Sequence, residues 1–243
     1  MATNVGYWKD FSAYRSRSNS SEAFTEMLIK MREDNVNLGS VDSCLSLGTG
    51  DGLCEVEFIK EFAANISKFI AVDRDHESVV HLTACLEQSL PDVASHVTET
   101  DVRSWNGPDD PVDLVLLFHV LYFLSPTERK ELFRKIREYW LAGRGFVVVL
   151  SSKTLGLFER LGAPRATWTD IEKDMLEAGF ITEHVYDIQF VRDYSDPDES
   201  LLRFYQHQVH RPFTLDDLCA VIKEMYPEQK TDIIHRLAVF KLQ

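Results

Sequence analysis

Positive charge is scarce in this sequence: 26 lysines and arginines stand against 39 aspartates and glutamates, a formal net charge of −13 at pH 7. A nucleic-acid binder needs a basic face to neutralise phosphates, so no nucleic-acid partner is expected. Cysteine is sparse as well. Cys44, Cys54, Cys85 and Cys219 form neither a CxxC pair nor a metal-ligand spacing. They read as free thiols of a reducing, cytoplasmic compartment, and no bound metal is expected. No apolar run approaches 18 residues, and the opening MATNVGYWKDF lacks a basic region followed by an apolar one. Neither a membrane span nor a secretory leader is expected. Internal repeats and low-complexity tracts are also lacking. What is present is 44% hydrophobic residues in a chain of 243, enough to build a real core.

The apolar periodicity alternates between two values. Residues 7–37 read as helical, and SSEAFTEMLIKMRED offers a serine cap ahead of Phe24, Met27, Leu28 and Met31 at helix spacing. SCLSL is a short apolar strand that runs into glycines. KFIAVD, HVTETDV, VDLVLLF and GFVVVLSS follow as further strands, with helical patterns between them. One of these helices begins with Ser125 as cap and Pro126 at its first turn, and another with Thr167 as cap and Gly179 past its end. VDLVLLF is apolar on both faces, as in a central parallel strand. After Phe180 come two strands, ITEHVYDIQFV and HRLAVFKL, separated by two helices. The expected fold is α/β, a Rossmann-like, doubly wound, seven-stranded sheet, mostly parallel with an antiparallel last strand. A single domain over residues 1–243 is expected. The N-terminal helices 7–37 and an insertion at 193–232 would form a small cap over the carboxyl ends of the strands. His235 would open an edge strand.

The loop LSLGTGDGLCEV places Gly48, Gly50 and Gly52 at alternate positions after the first strand. Asp73 ends the next strand, where a carboxylate can hold two ribose hydroxyls. The plain alternative is a tight βα turn with an exposed aspartate. Dinucleotide loops run GxGxxG, whereas this one runs GxGxG. The GxGxG loop with a terminal acid resembles motif I of class I S-adenosylmethionine-dependent methyltransferases. That resemblance implies S-adenosylmethionine as cofactor. It also implies Asp101 beside the adenine, with Ser78, Val102 and Phe118 lining the cofactor pocket. For Asp101 a loop or capping role is the alternative, and for Phe118 simple core packing.

The chain is also similar to the histamine N-methyltransferase family, through YWKDF, FHVLYFL, VVVLSSKTLGLFERLG and DYSDPDESLLRFY. The resemblance implies a slot for a flat ring, lined by Tyr7, Phe11, Tyr122, Phe123 and Tyr205, with Phe158 in place of one of the family's tryptophans. Ser20 falls where the family has a carboxylate that holds the substrate's ammonium, and only a shifted register brings in Glu22. His119 replaces a glutamine, and His235 falls near an asparagine. The polar groups that meet the acceptor have therefore changed, while the cofactor motif has not.

Methyl transfer from a sulfonium is an in-line displacement, so the protein mainly positions an electron pair. His119 and His235 are the candidates to hold or deprotonate the acceptor. An imidazole or amine nitrogen needs only to arrive unprotonated. An aromatic hydroxyl would need a base, which His119 could supply. A non-catalytic module that binds the cofactor is the third reading. The expected partner is a small molecule, and the expected assembly a monomer. His207 and His210 have a spacing that can ligate metal, but no third ligand is evident nearby and a solvated helix face is the simpler reading.

Overall fold

The computed structural model describes residues 6–209 and 212–243. His210, half of the HQVH pair, lies outside the described residues. Seven strands form one sheet: β1 (Ser43–Leu47), β2 (Lys68–Asp73), β3 (Ala94–Glu99), β4 (Val112–Phe118), β5 (Leu141–Ser152), β6 (Phe180–Asp193) and β7 (Lys230–Leu242). The order is β3-β2-β1-β4-β5-β7-β6. The first five strands pair in parallel, and β7 runs antiparallel to both of its neighbours, as expected. β4 is buried along nearly its whole length, which explains its uninterrupted apolar sequence.

Helices cover both faces: α1 (Tyr7–Arg15), α2 (Ser20–Glu33), α3 (Leu53–Phe62), α4 (His76–Ser89), α5 (Pro126–Lys135), the short α6 (Leu157–Arg160), α7 (Trp168–Glu177), α8 (Glu199–Val209) and α9 (Leu215–Met225). Ser125 and Thr167 both close capping boxes, in which side chain and backbone satisfy each other's orphan groups. Between α5 and α7, buried Arg129 donates through Nε to Asp174 Oδ2 at 2.9 Å and through Nη1 to the Leu124 carbonyl at 2.8 Å. An internal cation is thus fully partnered.

Two expectations about the chain path need correction. The N-terminal helices expected over 7–37 are α1 and α2, separated at residues 16–19, and the second ends at Glu33, short of residue 37. At the break, Ser18 bridges to Arg192 and the Asn19 side chain accepts from the Val191 amide. The segment is thus held by the end of β6, and Ser20 caps nothing. The strand that carries His235 is not at the edge. The chain runs out along β6, returns through α8 and α9, and inserts β7 between β5 and β6.

The hydrophobic core has three parts, one on each face of the sheet and a third beyond its carboxyl ends. The third part joins α6, α8 and α9 to aromatic residues of α1. Buried Asp10 ties α1 to α8 through Arg203, whose Nη2 lies 3.0 Å from Oδ1, and through His207 at 3.4 Å.

Candidate active site

Strand order reverses between β1 and β4, the place where an open α/β sheet leaves a crevice at its carboxyl ends. A cavity of about 1180 Å³ opens there. One half follows the ends of β1, β2 and β3. The other lies beneath α1 and α8, beyond β4, β5 and β7.

In the first half, Gly50 has φ +60°, and nothing stands within 4 Å of where its Cβ would be, so the backbone faces open space. Asp73 Oδ2 accepts from the Gly50 amide at 2.8 Å, and Oδ1 accepts from the Asp75 amide at 2.9 Å. Each carboxylate oxygen keeps a further lone pair, enough to receive two vicinal hydroxyls. Burial raises the Asp73 pKa, and donated hydroxyl hydrogens would offset that cost. Ser78, Asp101, Val102 and Phe118 all line the cavity. Ser78 is also spent locally, with its amide and hydroxyl both on Asp75 Oδ2. Asp101 is held by Arg103, whose hydrogen bonds lower its pKa. Phe118 packs edge-on against Phe24 and Phe58, so it is core and wall at once.

Gly48 lines the cavity, but its lack of a side chain serves packing. A Cβ there would stand 2.5 Å from Val120 Cγ2. Gly52 is not on the cavity. It precedes α3, where a Cβ would meet Leu82 Cδ1 at 2.3 Å, so its expected contact with cofactor is corrected to a helix-packing role.

In the second half, β4 ends in a tight turn. His119 adopts φ +56°, uncommon for a residue with a side chain, and its amide donates to the Leu150 carbonyl at 2.7 Å. His235 faces it from β7, with ring centroids 4.5 Å apart, and Phe190 stands edge-on to His235 at 4.6 Å. Among the described residues, the ring nitrogens of this histidine pair have no hydrogen-bond partner. Burial, then the charges of Arg165, Arg15 and Arg192, push the His119 pKa down to about 3. Burial, His119 and the same two arginines, Arg192 and Arg165, push His235 well below its ordinary value. Both are neutral at pH 7.

Tyr7, Phe11, Ser20, Tyr122, Phe123 and Phe158 all line the cavity, although Phe123 is also 43% exposed. Tyr205 does not. It is fully buried behind Phe158 and shares a 2.9 Å hydroxyl contact with Tyr194, so its expected place in the slot is corrected to one of support. Glu22 is exposed and off the cavity. Sequence reasoning missed Tyr14, Arg165, Phe190, Arg192, Phe204 and Gln208, which complete the walls.

Among the described residues, no cluster of three or more His, Cys, Asp or Glu side chains could hold a metal ion, and no helix is long and apolar enough to cross a membrane. Residues 44–143 match a family model described as a methyltransferase domain. Searched by sequence against curated proteins, the chain has no match. Among solved structures it is similar to the N-methyltransferase NodS of Bradyrhizobium japonicum WM9 in complex with S-adenosyl-L-homocysteine. The TM-score is 0.55 at 12% identity, over 90% of this chain and 85% of that one. It is similar to the YcgJ protein of Bacillus subtilis, with TM-score 0.61 and 11% identity over 92% and 99% of the two chains. A third similar structure is a complex of the Haloferax volcanii Trm112 methyltransferase activator with a methyltransferase, at TM-score 0.58 and 14% identity, over 99% of this chain and 97% of that one.

Proposed function

We propose that this chain is an S-adenosylmethionine-dependent methyltransferase and that it methylates a nitrogen of a small, flat acceptor, an imidazole or an amine. The observation that carries the reading is the pair of neutral, unpartnered imidazoles, His119 and His235, set in an aromatic slot that is continuous with the glycine loop and Asp73. When bound, the cofactor supplies the methyl group and a sulfur that leaves with the electron pair of the broken carbon–sulfur bond.

The protein's part is to position. Asp73 would hold the ribose hydroxyls, Gly50 would let the cofactor approach the backbone, and Asp101 and Val102 would flank the adenine. Tyr7, Phe11, Tyr122 and Phe158 would sandwich the acceptor ring and exclude water. His119 and His235 would fix the ring by a hydrogen bond to the nitrogen that does not react, leaving the other nitrogen's lone pair free. The proton released from the methylated ring passes to water. A histidine with a pKa near 3 is a poor general base at neutral pH, which favours a nitrogen acceptor over a hydroxyl that must lose its proton. The histamine N-methyltransferase resemblance points the same way. Four free cysteines support a reducing compartment such as the cytoplasm.

The test is methyl transfer from labelled S-adenosylmethionine to a panel of imidazoles, primary amines and phenols, with the product's methylated atom mapped by fragmentation. N-methyl products are expected. Aryl methyl ethers as the main products would replace this reading with the hydroxyl one, and cofactor binding without transfer to any member would leave only a binding module.

A further inference from the structure

Arg165 and Arg192 stand in the acceptor half of the cavity without a carboxylate. Arg192 is 3% exposed. Its Nη1 donates to the Tyr14 carbonyl at 2.6 Å, its guanidinium lies 3.7 Å from the Tyr14 ring centre, and its buried Nε has no hydrogen-bond partner. Arg165 lies 3.6 Å over Phe158 and 4.1 Å over Tyr122, and donates through Nη2 to Gln208 Oε1 at 2.9 Å. Its buried Nε is also unpartnered. Among the described residues, neither arginine is within ion-pair distance of any acid. Buried Arg129, by contrast, has both Asp174 and a carbonyl. The fold therefore supplies a counter-charge to its structural arginine and withholds one from the two that border the cavity.

The rest of the acceptor half has the same character. Among the described residues, no carboxylate lines it. The cavity's carboxylates stand on the cofactor side, at the ends of β2 and β3 and around the start of α3, and Asp51 among them is taken by Arg15 at 2.6 Å. Ser20 lines the cavity without a charge, and Glu22 is exposed and off the cavity. A buried guanidinium without a counter-ion is costly, and its planar donor edge suits a carboxylate. Aromatic rings on its faces leave that edge as the part that can bind.

We infer that the methyl acceptor carries a carboxylate, bound by Arg165 and Arg192 while its ring lies in the aromatic slot. This rests on the nitrogen-methylation reading and names the substrate class within it. A cationic side chain such as histamine's ammonium would meet two positive charges and no acid. An anionic one supplies the missing counter-charge and removes the cost of the unpaired guanidinium groups.

Three imidazoles that differ only in the charge of the 4-substituent test this: imidazole-4-acetate, 4-methylimidazole and histamine. Each is measured for turnover with S-adenosylmethionine and, by calorimetry, for binding to protein loaded with S-adenosylhomocysteine. The acetate is expected to lead the neutral ring by at least about tenfold, with histamine last. Arg165→Gln and Arg192→Gln should each bring the acetate-to-methyl ratio toward one, with S-adenosylhomocysteine affinity as the check that the fold is intact. Should Arg192→Gln not fold, Arg165→Gln decides, because Arg165 sits in the loop between α6 and α7. The inference is overturned if histamine or the neutral ring binds as well as the acetate, if none of the three binds, or if the acetate preference survives in Arg165→Gln. If the acetate binds best and loses that advantage in Arg165→Gln, but no ring nitrogen is methylated, the carboxylate site stands and nitrogen methylation falls. If histamine is methylated best, nitrogen methylation stands and the carboxylate site falls.

Discussion

The two halves of the cavity are built by different means. The cofactor half is made mainly of main chain and of carboxylates at strand ends, nearly all within residues 48–103, with Phe118 of β4 as a further wall. The acceptor half is made of side chains that arrive from α1, the start of α2, the turn after β4, α6, the loop between α6 and α7, β6, α8 and β7. A backbone loop tied to a sheet has few ways to change without losing its turn. A wall of side chains from many segments can change one residue at a time. Acceptor identity can therefore diverge while the cofactor half persists.

The first way to break this contrast is Asp73→Ala. It removes the proposed acceptor of two ribose hydroxyl hydrogen bonds, and at about 1.5–3 kcal/mol for each bond to a charged group, S-adenosylhomocysteine affinity should fall by about a hundredfold or more. Calorimetry would measure it, and an unchanged affinity would remove Asp73 from the cofactor site. Second, Gly48→Ala should destabilise the fold by about 2–3 kcal/mol, since its Cβ would stand 2.5 Å from Val120 Cγ2 at φ +65°. Denaturant titration would show it. Gly50→Ala, which meets open space, should cost less stability and more cofactor affinity.

The third prediction sharpens the acceptor side. His119 has an ordinary pKa of about 6.5 when unfolded and about 3 when folded, so between those values the unfolded chain binds more protons. Stability must therefore rise with pH through that window and fall on acidification below pH 6.5. Between pH 7 and pH 5, the loss from this histidine should reach about 2 kcal/mol. His119→Asn, which tolerates positive φ and keeps an amide for hydrogen bonding, should remove that loss and retain substantial turnover at pH 7.5. A wild-type rate profile that inflects near pH 6.5, and loses the inflection in His119→Asn, would make His119 a base after all. The smallest effect belongs to Tyr7→Phe. Its hydroxyl stands 3.5 Å from Gln208 Nε2, and removing so long a contact should change stability by less than about 0.5 kcal/mol, with any effect confined to acceptor KM.

Much of the site was legible in the chain. The loop after β1 and the acid after β2 could be placed because strand, turn and strand follow within 31 residues, from Ser43 to Asp73. Tyr14 was legible but overlooked, since it continues the helical face of Tyr7 and Phe11. Arg192 also left a signal. Tyr186, Ile188 and Phe190 alternate inward along β6, and Arg192 is the next position in that register, an inward charge in an apolar row. Arg165 left none, because nothing in a loop of irregular conformation tells which way a side chain faces. Gly52 is placed in the site by the GxGxG pattern and Tyr205 by the family resemblance, and neither pattern shows what the residue packs against. Their contacts with Leu82 and Tyr194 are tertiary.

By itself the sequence determined the alternation of strands and helices, the glycine turn with its acid, and the capped helix starts. Each of these depends on residues a few positions apart and on the periods of helix and strand. The tertiary structure decided where β7 inserts, and with it the meeting of His119 and His235 at 4.5 Å from positions over a hundred residues apart. It also decided that two arginines would lie against aromatic rings with no acid in reach. Pairing between distant segments is set by the packing of the whole sheet and its cap, and no local pattern carries it.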